Sequence, residues 1–225
     1  MLERILPDAV AVAATGEDSF GAAPFPEEEE AIREAVEKRR REFVTARACA
    51  REALAKLGLP SQAVPVGPRG APQWPAGVVG SITHCDGYRG CAVARSADLV
   101  AIGIDAERDE PLPYGVLGDI ALAEERQMLR ALARRDPSLN WDRLLFSAKE
   151  TVYKAWYPLA ESWLGFEDAI VSIDPSGGYK ARLLIPGPTL GGRVLTGFSG
   201  RWTAGDDLLF TAIARPVAPE SEDGP

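Results

Sequence analysis

The chain has 225 residues, 46% hydrophobic and 26% charged, with a formal net charge of −8 at pH 7. It is long enough for one substantial domain or two smaller lobes, and its excess of acid argues against broad electrostatic binding to nucleic acid, which needs Lys and Arg spread along a face. Cys49, Cys85 and Cys91 form no CxxC pair and so indicate neither a disulfide framework nor a structural zinc site; no stretch approaches the roughly 18 uninterrupted apolar residues of a membrane span, the N-terminus makes a poor signal sequence, and the expected setting is the reducing cytoplasm.

Residues 5–14 are small and β-branched enough for an opening strand, followed by a turn-rich stretch through Pro26. From Glu27 the composition changes to long helix formers, with acids first and Lys38-Arg39-Arg40-Arg41 later, the order the helix dipole favours. Ile32, Val36, Phe43, Ala46, Ala50, Ala53, Leu54 and Leu57 form an imperfect helical stripe closed by Gly58 and Pro60, and its slip near Phe43 predicts a break there. Arg40, Arg47 and Arg51 share one side of this region, which suits either a solvated basic face or a clamp for a phosphate-bearing ligand.

Gly67-Pro68-Arg69-Gly70-Ala71-Pro72 is a loop with one cation in its middle, too irregular for a P-loop. Residues 78–84 read as a strand ending in polar residues. His84 is the only histidine and is there either as a hydrogen-bonded structural residue or facing a ligand. Residues 91–95 and 99–104 are the next strands, so His84 and Asp105 are expected at neighbouring ends of one antiparallel sheet. The second of these runs into Gly103-Ile104-Asp105-Ala106-Glu107. Extended backbone puts Asp105 and Glu107 on one face, with their backbones roughly 6–7 Å apart. Two carboxylates so placed suit a hard cation such as Mg2+, and equally suit a strand end passing into solvent.

Residues 114–120 read as a mobile connector and 121–135 as a helix. In residues 141–159, Leu145, Ala148, Val152, Ala155, Trp156 and Leu159 recur at helical spacing. Glu150 and Lys154, one turn apart beside that stripe, either face a cleft or form an ordinary i,i+4 ion pair. Strands are expected at 169–173, 179–185, 194–202 and 208–213, and the acidic, Pro-containing residues 216–225 as a disordered tail. The element order suggests an α+β chain of two similar lobes, 1–110 and 111–215, with a site helix over 142–159.

Gly103-x-Asp105-x-Glu107 and Phe146-Ser147-Ala148-Lys149-Glu150-Thr151-x-Tyr153-Lys154-Ala155 together resemble the two signature motifs of the phosphopantetheinyl transferases of the surfactin and enterobactin type. Gly70-x-Pro72 and Gly80-Ser81-Ile82-Thr83-His84-Cys85 resemble that family's earlier blocks, and Trp163-Leu164-Gly165-Phe166 resembles the form found in actinomycetes. Several motifs in the right order weigh far more than any one of them. Ala106 and Thr83 depart from the surfactin-type pattern, which bears on the subgroup rather than the reaction.

The resemblance implies two α+β lobes related by pseudo-twofold symmetry, with coenzyme A in the cleft between them. It implies transfer of the 4′-phosphopantetheine group from coenzyme A to a serine of an apo acyl or peptidyl carrier protein, releasing adenosine 3′,5′-bisphosphate, by a monomer. Asp105, Glu107 and Glu150 would hold Mg2+, with Mn2+ as a substitute; Glu150, directly or through water, would take the serine proton; Lys154 would stabilise the diphosphate. Arg39, Arg47, Arg69 and His84 would grip phosphates, with Ser81, Thr83 and Lys149 also on coenzyme A. Three clustered carboxylates repel, so raised carboxyl pKa values are expected. Carrier docking is expected on the apolar segment 112–122, with Leu117 as its probe. A Mg2+-dependent phosphohydrolase using the same carboxylates, or a non-catalytic coenzyme A-binding module, are the alternatives.

Overall fold

Residues 1–18 and 23–217 are described by the computed structural model, which is α+β throughout. A 3₁₀ turn over Leu2–Arg4 buries Leu2, and strand β1 spans only Ala11–Thr15. The expected strand at 5–14 is shorter because Pro7 has no N–H for a ladder and its carbonyl instead closes a turn onto the Val10 N–H. Helix α1 (Pro26–Glu29) runs into a 3₁₀ turn, and α2 (Glu37–Lys56) then continues unbroken past Phe43. The break lies instead before α2, where Val36 is extended and exposed. The stripe slips at Phe43 because α2 is covered on two sides: Ala50, Ala53 and Leu54 pack towards the first sheet, Phe43 and Val44 on Ile32.

Strands β2 (Val78–Cys85) and β3 (Tyr88–Arg95) join β1 in a sheet of order β1-β3-β2. Strand β4 spans Leu99–Arg108, so Asp105 and Glu107 lie within it. Helix α3 (Val116–Ile120) replaces the expected connector, because Val116, Leu117 and Ile120 pack on the core. Helices α4 (Ala123–Arg135) and α5 (Trp141–Ala160) follow, then β5 (Ala169–Asp174), β6 (Gly178–Leu183), β7 (Thr189–Leu190), β8 (Arg193–Val194), β9 (Gly197–Gly205) and β10 (Leu208–Pro216). The expected strand at 194–202 is therefore two, β8 returning on β7 through Gly191 and Gly192, both at positive φ. The second sheet has the order β4-β10-β9-β6-β5. Its β5 edge is blunted by α4: the Val171 N–H donates to Glu125 and the Ile173 N–H to the Met128 sulfur.

His84 and Asp105 thus belong to different sheets, contrary to expectation. The edges of β2 and β4 nonetheless meet, joined by side chains instead of a backbone ladder. The Ser81 Oγ accepts from the Ile104 N–H at 3.1 Å and the Thr83 Oγ1 from the Ala106 N–H at 3.0 Å. Helix α5 packs its apolar stripe, including Leu145, Ala148, Val152, Ala155 and Trp156, against the second sheet. It lies so close to β4 that a Cβ on Gly103 would sit 2.2 Å from the Thr151 carbonyl oxygen.

Two buried glutamates tie helices to segments later in the chain. Glu28 accepts from the Phe25 and Val64 N–H groups and pairs with Arg51 of α2. Glu125 accepts from the Leu122 and Val171 N–H groups and pairs with Lys149 of α5. Pro216 pairs with Leu99 and the Val217 N–H donates to Asp98, so these two residues are not part of a disordered tail; 218–225 lie outside the described residues. No helix among the described residues is long and apolar enough to cross a membrane.

Candidate active site

A cavity of about 760 Å³ opens between α2, the 66–72 loop, β2 and α5. Its wall carries Arg39, Arg47, Arg69, Ser81, His84, Glu150 and Lys154, seven of the residues singled out from sequence. The local structure explains their convergence. Arg39 and Arg47 are two turns apart on α2 and Glu150 and Lys154 one turn apart on α5, so each pair shares a face. Asp105 and Glu107 stand on β4, reached from the cavity through Lys154.

Asp105 is 5% exposed. Its Oδ1 accepts from the Lys154 ammonium at 2.8 Å and from the Thr83 hydroxyl at 3.1 Å, while Oδ2 is buried without a hydrogen-bond partner. Lys154 also donates to the Ile104 carbonyl at 3.1 Å. Its ion pair is therefore with Asp105 across the helix–sheet interface. Beneath it, Thr211, the cross-strand neighbour of Asp105, holds α5 through the Ser147 and Thr151 hydroxyls at 2.9 and 2.6 Å.

Glu107 is held by Arg143 at 3.0 Å, whose other donors reach the carbonyls of Glu110 and Pro111. Sequence reading missed Arg143, although its seven-residue spacing from Glu150 places it on the same helix face. Burial, then the Asp105 charge, pushes the Glu107 carboxyl up to about 7 against the pull of Arg143. Burial likewise raises Glu150, where Lys154 opposes and Asp105 adds. Both glutamate carboxyls rise in the expected direction, with desolvation ahead of repulsion by Asp105.

Burial and the neighbouring Arg39 lower the pKa of His84, and a neutral imidazole can accept the Arg39 guanidinium on Nε2. Arg47 is pushed down to about 10 by burial and remains protonated at neutral pH. Its Nε donates to the Val64 carbonyl and its guanidinium lies over the Phe43 ring, so only part of its donor fork faces the cavity. Arg69 sits at φ 54 with its guanidinium over the exposed Trp163.

Three sequence expectations change. Thr83 lies outside the cavity wall, its hydroxyl committed to Asp105 and to the Ala106 N–H. Arg40 donates to the Ile32 carbonyl and Arg51 pairs with Glu28, so neither is a phosphate clamp. Lys149 turns away from the cavity: its three donors go to Glu125, the Phe166 carbonyl and the Ala169 carbonyl. Lys149→Met should strand the buried Glu125 charge at a cost of about 3–5 kcal/mol, a Tm fall of roughly 6–20 °C for a chain of this size. Calorimetry of the variant should show that loss.

Among the described residues no group of three His, Cys, Asp or Glu side chains is gathered closely enough to hold a metal ion as it stands. The donor chemistry still fits a hard divalent cation. Asp105 offers a buried oxygen without a partner, and Glu150 is a carboxyl whose charge the site disfavours, while Glu107 is engaged by Arg143. The sign for Glu107 is testable. Its folded pKa lies above the unfolded one, so ionising it opposes folding: the cost is absent below about 4.5, grows as pH rises, and is complete above about 7. Allowing for its partial exposure, Glu107→Gln should stabilise the chelator-treated protein at pH 8 by on the order of 1–2 kcal/mol and do nothing near pH 4, as thermal melts at the two pH values would show.

Comparison with known proteins bears on the whole chain. A family model described as 4′-phosphopantetheinyl transferase N-terminal domain matches residues 27–94, and one described as 4′-phosphopantetheinyl transferase superfamily matches 101–204. The chain is 53% identical over 223 residues to the 4′-phosphopantetheinyl transferase Svp of Streptomyces mobaraensis, covering 94% of this chain and 91% of that one. It is 48% identical over 223 residues to Npt of Nocardia iowensis, with 95% and 99% covered, and 48% identical over 202 residues to PptT of Mycobacterium tuberculosis, with 87% and 88% covered. Similarity to the enterobactin synthase component D of Salmonella typhi is weaker, at 34% over 128 residues and 56% of this chain and 51% of that one.

Proposed function

Because the chain belongs to the 4′-phosphopantetheinyl transferase superfamily, we propose that it transfers the 4′-phosphopantetheine group of coenzyme A to a serine of an apo acyl or peptidyl carrier protein, with Mg2+ as cofactor and Mn2+ as a substitute. The observation that carries this reading is that Glu150 and Lys154 share one cavity wall with Arg39, Arg69 and His84, while Lys154 joins that wall to Asp105.

The serine oxygen attacks the diphosphate phosphorus attached to pantetheine. The bond to the neighbouring phosphate breaks, and adenosine 3′,5′-bisphosphate leaves. Glu150, a carboxyl with raised proton affinity at the cavity wall, takes the serine proton. Lys154 neutralises charge as it builds on the leaving phosphate. Arg39, Arg69, His84 and the exposed part of Arg47 hold the remaining phosphate charge; Ser81, whose Oγ also anchors β4, borders them. A bound divalent cation, held by Asp105 and Glu150 with Glu107 alongside, would supply Lewis-acid neutralisation of the diphosphate.

Two lobes, 1–110 and 111–215, related by pseudo-twofold symmetry and enclosing the coenzyme A cleft, are part of this reading. The buried glutamates support it, since Glu28 and Glu125 each accept from the N–H three residues earlier and from one N–H later in the chain, and each pairs with a cation on a helix of 20 residues, Arg51 of α2 and Lys149 of α5. The working unit is a single chain in the cytoplasm.

The carrier is proposed to dock on 112–122, which Asp142 fastens to α5 by accepting from the Leu112 N–H. Leu117 is half-buried against the core, so a charge there would also disturb the fold, whereas Tyr114 is fully exposed. Tyr114→Asp should therefore raise KM for the carrier and leave KM for coenzyme A unchanged in steady-state assays. The reaction itself is tested by chromatography of coenzyme A, Mg2+ and protein with and without apo carrier. Release of adenosine 3′,5′-bisphosphate only with carrier supports transfer; carrier-independent breakdown favours a phosphohydrolase, and binding without breakdown a non-catalytic module.

A further inference from the structure

The acidic end of β4 carries two cations of the chain's own. The Lys154 ammonium lies 2.8 Å from the Asp105 Oδ1, and the Arg143 guanidinium 3.0 Å from the Glu107 Oε2. The two are not equivalent. Arg143 is fastened to the carbonyls of Glu110 and Pro111 as well, and its tie to Glu107 belongs to a fixed corner. Lys154 has one carbonyl tie, to Ile104 at 3.1 Å, and is half-buried on the cavity wall, one turn from Glu150, at the end of a flexible four-carbon stem. Asp105 itself is 5% exposed and presents a second, buried oxygen that nothing satisfies.

From this geometry we infer that Lys154 is an exchangeable counter-ion: it competes with a divalent cation for Asp105, and a diphosphate in the cavity relieves the competition by giving the ammonium another anion. The inference rests on the metal and coenzyme A roles proposed above and adds an order of events to them. A cation approaching Asp105 alone finds only Oδ2 without a partner and meets the ammonium charge held on Oδ1. When a diphosphate lies against the same wall, Lys154 can swing to it, both Asp105 oxygens become available, and the phosphate oxygens add ligands. Cation and diphosphate then bind with positive coupling, and by linkage each tightens the other by the same factor, on the scale of about 5–150-fold usual for coupled sites. Lys154 thereby guards the site against a cation bound without its co-substrate.

The test measures Mn2+ affinity by electron paramagnetic resonance on the full chain, without any turnover. Wild type should bind Mn2+ weakly alone, more tightly with coenzyme A, and no more tightly with adenosine 3′,5′-bisphosphate, which lacks the diphosphate. Lys154→Met should bind Mn2+ more tightly than wild type when alone and lose most of the gain from coenzyme A. Lys154→Gln, which keeps a polar head, checks that any change comes from the charge, and Asp105→Asn should abolish binding in all backgrounds. If the Lys154 variants bind Mn2+ no better than wild type alone and keep the full gain from coenzyme A, the competition is refuted while the metal site stands. If Mn2+ binding is indifferent to Asp105→Asn, the metal assignment itself falls, and the inference with it.

Discussion

Glu150→Gln should lower kcat by about 10²–10⁴-fold, the usual share of a general base, while coenzyme A affinity measured with chelator present stays close to wild type. Glutamine keeps the shape and a hydrogen-bonding head, so the cavity wall and the phosphate cations around it are undisturbed. It cannot take the serine proton and is a poor ligand for a hard cation. Stability should not fall, because burial and Asp105 already disfavour the Glu150 charge, so a lower Tm would indicate damage rather than lost chemistry. In wild type the rate should drop at low pH, where the Glu150 base becomes protonated, and that acid limb should disappear from the residual activity of the variant. Stopped-flow turnover with titration of coenzyme A separates the two effects. Turnover at the wild-type rate would remove Glu150 from both of its assigned roles.

Gly103 is the second position where one atom decides much. It has no unusual backbone angle to preserve; the constraint is contact. An added Cβ would lie 2.2 Å from the Thr151 carbonyl oxygen and 3.1 Å from the Ala155 nitrogen, both backbone atoms of α5 that cannot step aside singly. The strand and helix would have to separate, and the same separation fixes the 2.8 Å contact of Lys154 with Asp105. Gly103→Ala should cost roughly 1–3 kcal/mol as an overpacked contact, or about 2–12 °C in Tm, with activity falling further than the folded fraction explains. Gly103→Val should not yield folded protein. Gly118→Ala is the control, since its Cβ meets nothing within 4 Å. Equal melts for Gly103→Ala and wild type would mean that β4 and α5 do not pack as described.

Much of this architecture was legible in the order of residues. Helix α5 could be placed from its uninterrupted apolar period, helix α4 from its composition, and strands β2 and β4 as apolar runs that end in polar or charged residues. The alternation in β4 put Asp105 and Glu107 on one face, and the four-residue spacing on α5 put Glu150 and Lys154 on another, whereas on α2 the seven- and four-residue spacings picked Arg40, Arg47 and Arg51, of which only Arg47 lines the cavity. What escaped depended on partners far away in sequence. Lys149 and Lys154 sit in one motif, yet a helix turns them apart, and only the approach of Glu125 from α4 shows that Lys149 is spent on structure. Thr83 and Ser81 look like ligand hydroxyls until β4 presents two N–H groups to them at a sheet edge. The stripe of α2 could not be read at Phe43, because a period with one buried face does not describe a helix covered on two sides.

Everything proposed for the cavity depends on its moving a phosphopantetheine group onto a carrier serine with the help of a divalent cation. The decisive experiment is intact mass spectrometry of an apo carrier protein incubated with this chain, coenzyme A and Mg2+, beside a chelated control. The carrier should gain the mass of one phosphopantetheine group, a gain absent with chelator and lost when the carrier serine is replaced by alanine. A carrier of unchanged mass while coenzyme A is broken down would contradict the transfer.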